Sequence, residues 1–170
     1  MIEWLAEKLL NRAIQTPYTH LDGYMLRWWL VPYSSTAEGE GCGPVSWRRP
    51  IAKMLQLFGI AVRIHLILRS DDARHMHNHP WWFVSLLLDG EYVEQQPVYI
   101  EGRYSGCSSK RFFAGSIIFR RASTIHRLHL FPGESVLTMF VTGPRGQAWG
   151  FCEDLRKPAQ ITAANEYLKK

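Results

Sequence analysis

The chain has 170 residues, 46% of them apolar and 21% charged, with a formal charge of +5 and a pI near 9.3. That length suits one domain able to bury a core without disulfides or a structural metal. The basic pairs Arg48-Arg49, Lys110-Arg111, Arg120-Arg121 and Lys169-Lys170 are scattered rather than clustered, which argues against a nucleic-acid footprint, and no apolar run reaches bilayer length. Cys42, Cys107 and Cys152 are odd in number, lie far apart and form no CxxC, so neither a disulfide framework nor a zinc knuckle is implied. Glu3 and Glu7 interrupt the first apolar stretch and do not suit a secretory signal, which leaves a soluble cytoplasmic protein as the expectation. Seven Trp and seven Tyr provide large apolar surfaces of the kind that line ligand pockets.

In chain order, Ile2, Leu5, Ala6, Leu9 and Ala13 recur at the helical period, while Glu3, Glu7, Lys8 and Arg12 face elsewhere. The spacing predicts an amphipathic helix over 2–14, packed on the outside of a sheet. Residues 24–31 (YMLRWWLV) read as a strand, 34–46 (SSTAEGEGCGPVS) as a flexible loop, and 51–57 (IAKMLQL) as one or two helical turns. From residue 60 onward nearly everything is β. Strands are predicted at 60–69, 81–88, 91–99, 107–113, 116–121, 126–131, 135–141 and 147–152. Asp89-Gly90 is a strong hairpin signal between two of them. Short strands at regular spacing imply a sandwich or barrel.

The informative segment is Arg74-His75-Met76-His77-Asn78-His79-Pro80. Alternate residues of a strand share a face, so His75, His77 and His79 point the same way. Neighbouring members stand about 7 Å apart at Cα, and two imidazoles at that separation converge on one ion at about 2.0–2.1 Å each. The outer pair, about 13 Å apart, is too distant for all three to ligate from a straight strand. One neighbouring pair plus a ligand from elsewhere is therefore the expectation.

These residues resemble the cupin superfamily. Its first motif pairs two histidines one residue apart, then a Glu some four residues on and a Gly seven further; here His77, His79 and Gly90 match, and Phe83 stands in the Glu place. Its second motif opens with Gly and places a His eleven residues later, as Gly115 and His126 do. The intervening Pro and Gly read Arg121 and Ser123, the Asn four after the His is Leu130, and the Gly six before the first His is Asp71. The closing TGPRGQAWGF (142–151) also looks like small bacterial and phage cupins. The resemblance covers about residues 60–142. It implies a mainly β fold: a single cupin-type β-barrel, or double-stranded β-helix (jelly roll), with an N-terminal helix. One domain then spans 1–170, with the helix in 1–16 and the barrel core in 60–152.

It also implies a metal set of His77, His79 and His126, with His75 as an alternative ligand or outer partner. Three imidazoles with open positions have the form of a catalytic centre for one divalent transition metal, Fe(II) first, with Zn, Ni or Mn as the other options. That arrangement resembles thiol dioxygenases of the cysteine dioxygenase type, which use an Arg for the substrate carboxylate. Arg63, on the same face of its strand as His65 and Arg69, would take that part. Trp81 and Phe83 would share the face of His77 and His79 if the period of two survives Pro80, and Tyr92 is a further candidate for substrate contact. His65 is either an outer partner of the site or a core histidine, whereas His129 falls on the opposite strand face from His126. The expected function is an Fe(II) dioxygenase-type oxidoreductase acting on a small, anionic molecule. The alternatives are a metal-dependent sugar or keto-acid isomerase or lyase drawing on His75, Tyr92 or Glu94 as acid or base, and a non-catalytic cupin that binds a ligand. A homodimer is expected by the resemblance alone.

Overall fold

The computed structural model describes residues 2–31, 48–71 and 75–169. The predicted 34–46 loop, and Cys42 with it, lies outside these residues. Helix α1 (Ile2–Ala13) forms where its period predicts, with Glu3 in the first turn and Arg12 in the last, each at the end its charge favours. Strands β1 (Pro17–Leu21) and β2 (Met25–Val31) follow, then helix α2 (Arg48–Leu57), longer than the one or two turns expected. The remaining strands are β3 (Ala61–Ile67), β4 (Met76–His77), β5 (Phe83–Asp89), β6 (Glu91–Ile100), β7 (Arg103–Phe113), β8 (Ile117–Arg120), β9 (Arg127–His129), β10 (Val136–Thr142), β11 (Gly150–Cys152) and β12 (Thr162–Ala163), before a short helix α3 (Ala164–Tyr167). Every strand predicted after residue 60 is present. Strand β1 is not among the predicted elements, and the terminal β12 and α3 carry no period long enough to read.

Three antiparallel sheets result, ordered β1-β2-β3-β10-β5-β8, β12-β11-β4 and β7-β6-β9. Asp89-Gly90 therefore does not close the predicted hairpin: it is a tight turn that passes the chain from β5 in one sheet to β6 in another. The six-stranded sheet separates two apolar clusters. On its outer side Ala6 and Ala13 of α1 bury against Ile64, Leu88 and Leu137, with Leu9, Leu10, Leu66 and Leu86 around them. On its inner side Ile67, Leu87, Ile118 and Val136 meet Tyr92, Phe112 and Leu130 from the β7-β6-β9 side. The period of two along β3 assigns its residues to these layers: Ile64 goes out beneath α1, Ile67 goes into the core, and Arg63 and His65 line the interior cavity. Buried arginine and histidine on an inner sheet face are costly unless they serve something there. Among the described residues, no helix is long and apolar enough to cross a membrane.

Candidate metal centre

The centre is assembled by backbone pairing. His77 and His126 form a β-bridge in which each amide donates to the other's carbonyl, at 2.9 and 3.0 Å. Residues so paired project their side chains to one face, and His79, two positions along from His77, joins them. The far side of this segment is fixed by Asn78, whose amide donates to Gly150 O (3.0 Å) and whose Oδ1 accepts from Gly150 N (2.8 Å). Gln147 Nε2 donates to the carbonyls of His79 (2.9 Å) and Ala122 (2.8 Å), which ties the two histidine-bearing segments together.

The outcome is that His77, His79 and His126 place one ring nitrogen each within 4.8 Å of one another, and Nε2 of His79 lies 2.8 Å from Nε2 of His126. Two nitrogens bound to one ion at about 2.0–2.1 Å stand about 3–4 Å apart, so small ring rotations suffice to seat a metal. The donor chemistry fits as well. Burial pushes His79 well below the ordinary imidazole value, and the charges of His77, His126 and His65 lower it further, so its ring is neutral and able to ligate.

Behind the histidines stands a carboxylate that the sequence motif did not mark. Glu94, on β6 and 3% exposed, has Oε1 2.6 Å from His126 Nδ1. It also forms an ion pair with Arg120 at the end of β8. Burial alone would raise the Glu94 carboxyl, but the hydrogen bonds and charges of His126 and Arg120 outweigh it and hold the group at about 2. An ionised Glu94 orients the His126 ring and leaves Nε2 to face the other two histidines. Glu94 therefore does not replace the missing motif glutamate among the inner donors; it works one layer further out. A second carboxylate, Asp71, lies 4.0 Å from His77 Nδ1, accepts from Leu128 N (3.1 Å) and is hydrogen-bonded by the buried hydroxyl of Tyr24. The sequence signal for Glu94 is its parity with Tyr92 along β6, which buries both. In the sequence Asp71 stands out only as a departure from the motif glycine.

Phe83, in the place of the motif glutamate, packs its ring against His79 (centroids 4.8 Å apart) and Phe140 (4.7 Å). These residues border a cavity of about 190 Å³. Arg63, His65, Trp81 and Tyr92 also line it. Arg63 is buried with its Cζ 4.5 Å from the Trp29 ring and 5.2 Å from the Trp81 ring, and its Nη1 donates to Thr142 Oγ1 at 3.3 Å. Burial pushes the Tyr92 hydroxyl upward, and the neighbouring Glu94 charge adds to it. His65 stacks on Phe140 at 4.7 Å and is held well below the ordinary imidazole value by burial, then by Arg63 and Arg27. His75 stands apart: it is exposed, and both its amide (3.2 Å) and its Nδ1 (2.8 Å) meet the Tyr167 hydroxyl. His129 lies on β9, outside the cluster of three.

No protein-family model matches the chain, and no curated protein does. Solved structures do. An oxalate decarboxylase of Lactobacillus farciminis, in a formate complex, superposes over 94% of this chain and 36% of its own at 14% identity and TM-score 0.51. A vicilin from Capsicum annuum does so over 79% and 32% at 9% identity and TM-score 0.52, and a vicilin from Corylus avellana over 78% and 33% at 13% identity and TM-score 0.52. The chain thus spans about a third of the length of each. At such identities the likeness concerns fold alone. It defines the class plainly: this chain has the cupin fold, mainly β with an N-terminal helix, and carries a group of three histidines in its interior.

Proposed function

We propose that this chain is a metal-dependent cupin enzyme that binds one divalent transition metal through His77, His79 and His126 and acts on a small anionic molecule. The observation that carries this reading is the convergence of three imidazoles, one braced by the ionised Glu94, at the wall of a cavity that also presents Arg63. Three neutral ligands leave a divalent ion its full charge, which favours an anion as a further ligand.

Within this reading the metal is Fe(II) and the chemistry it supplies is the activation of O₂, in an oxidoreductase of the dioxygenase type. The side chains do the rest. Arg63, pinned between two indoles, offers its guanidinium to the anionic end of the substrate. Phe83, Phe140 and Trp81 keep water from the reacting face. Glu94 holds the His126 proton at Nδ1. An isomerase or lyase would instead need a free acid or base, and the three side chains offered for that role are poorly placed. Glu94 is engaged by His126 and Arg120, His75 is bound to Tyr167 outside the cavity, and burial makes Tyr92 hard to ionise.

Oxygen uptake tests the reading. Protein reconstituted with Fe(II) is expected to consume O₂ with a member of a panel of small thiols and acids, and zinc-loaded protein is expected not to. Turnover without oxygen, sustained equally by zinc or manganese, would transfer the chain to the isomerase or lyase class.

A further inference from the structure

In the cavity that the histidine cluster borders, the inner face of the six-stranded sheet carries a second set of polar groups. In the register of β2, β3 and β10, Arg27, His65 and Thr138 form one row across the strands, and Trp29, Arg63 and Phe140 form the next. His65 is 8% exposed, and its Nε2 is buried with no hydrogen-bond partner among the described residues. The indole Nε1 of Trp81 is buried and unpartnered in the same way. Buried nitrogens without partners are rare, because each forfeits its bonds to water for nothing. Here both belong to residues of one cavity, and Arg63 lies between them: two positions from His65 on β3, with its guanidinium over the Trp81 ring.

The chemistry of the three groups narrows what completes them. Trp81 Nε1 only donates, so it needs an acceptor, and a carboxylate beside Arg63 is one. A neutral imidazole donates or accepts according to its tautomer, and a hydroxyl is the group that satisfies it either way. At about 190 Å³ the cavity has room for roughly six water-sized groups. Building on the metal-dependent reading above, we infer that the cavity selects a small hydroxycarboxylate, its carboxylate on Arg63 and Trp81 Nε1 and its hydroxyl on His65 Nε2. His65 is thereby the residue that distinguishes a hydroxy acid from the corresponding unsubstituted acid.

The test compares lactate with propionate and 3-hydroxybutyrate with butyrate, by calorimetric titration of zinc-reconstituted and metal-free protein. Wild type is expected to bind each hydroxy acid about tenfold more tightly than its partner. His65→Phe is expected to erase that preference, to leave propionate affinity within about twofold, and to melt no lower than wild type, since it removes an unsatisfied nitrogen and keeps a ring against Phe140. Trp81→Phe is expected to weaken both members of a pair alike. Equal affinities within each pair, or a His65→Phe protein that melts well below wild type, would overturn the inference by making His65 a packing residue. A hydroxy-acid preference in protein that retains no zinc would uphold the subsite and overturn the metal instead.

Discussion

Glu94 decides how firmly the centre is built. A carboxylate that is buried yet held at about 2 owes its charge to His126 and Arg120 in the folded state, and that debt appears as pH dependence. Because its folded value lies below the ordinary 4.5, the stabilisation, of the order of 3 kcal/mol, is fully present above about pH 4.5 and is lost as pH falls towards about 2. In metal-free protein, Glu94→Gln is expected to lower the melting temperature near neutrality, and the gap from wild type is expected to close on acidification; thermal melts from pH 7 to pH 3 check this. With metal present the same substitution is expected to weaken binding about 10- to 100-fold by freeing the His126 ring. Phe83 makes a complementary case. Phe83→Glu introduces an unpaired carboxyl beside His79 and Phe140, so the metal-free variant is expected to melt several degrees lower than wild type. Added divalent metal is expected to restore more of its melting temperature than it adds to wild type. A variant that responds to metal no better than wild type would show that Phe83 does not face the ion.

At the scale of the element, the histidines are a product of strand pairing, and pairing explains what was legible. The alternation of His77 and His79 is readable because a strand repeats every two residues; Arg63, His65, Trp81 and Phe83, read by the same parity, line the cavity, whereas Arg69 is not among its lining residues. His126 was reached only through family spacing, since nothing local reveals that its backbone bridges to His77 some fifty residues earlier. Glu94 and Asp71 were harder still. A lone acid on a strand looks like any surface residue until its cross-sheet partners are known, and His126 and Leu128 belong to a different segment of the chain. His75 fell outside the centre because Tyr167, on a terminal helix with no legible period, takes both its amide and its ring nitrogen. The turn that carries the chain from β5 into β6, in a different sheet, is the element most exposed to a single change. Gly90 has φ +76°, and a Cβ there would lie 2.3 Å from the Ser135 carbonyl oxygen. Gly90→Ala is therefore expected to cost at least about 2 kcal/mol, seen as a fall of several degrees in melting temperature.

For the whole molecule, the fold puts its apolar mass in two places, beneath α1 on the outer side of the large sheet and around Tyr92, Phe112 and Leu130 within. The rest of the interior is left to aromatics and histidines around a cavity. The central claim is that this interior holds one metal ion. Elemental mass spectrometry on protein purified without a His-tag, beside a His77→Ala/His126→Ala variant, tests it most directly. The account predicts close to one transition-metal ion per chain in the wild type, with iron foremost, and essentially none in the variant. Wild-type protein that holds no metal even after reconstitution, or a variant that holds as much as wild type, would contradict it.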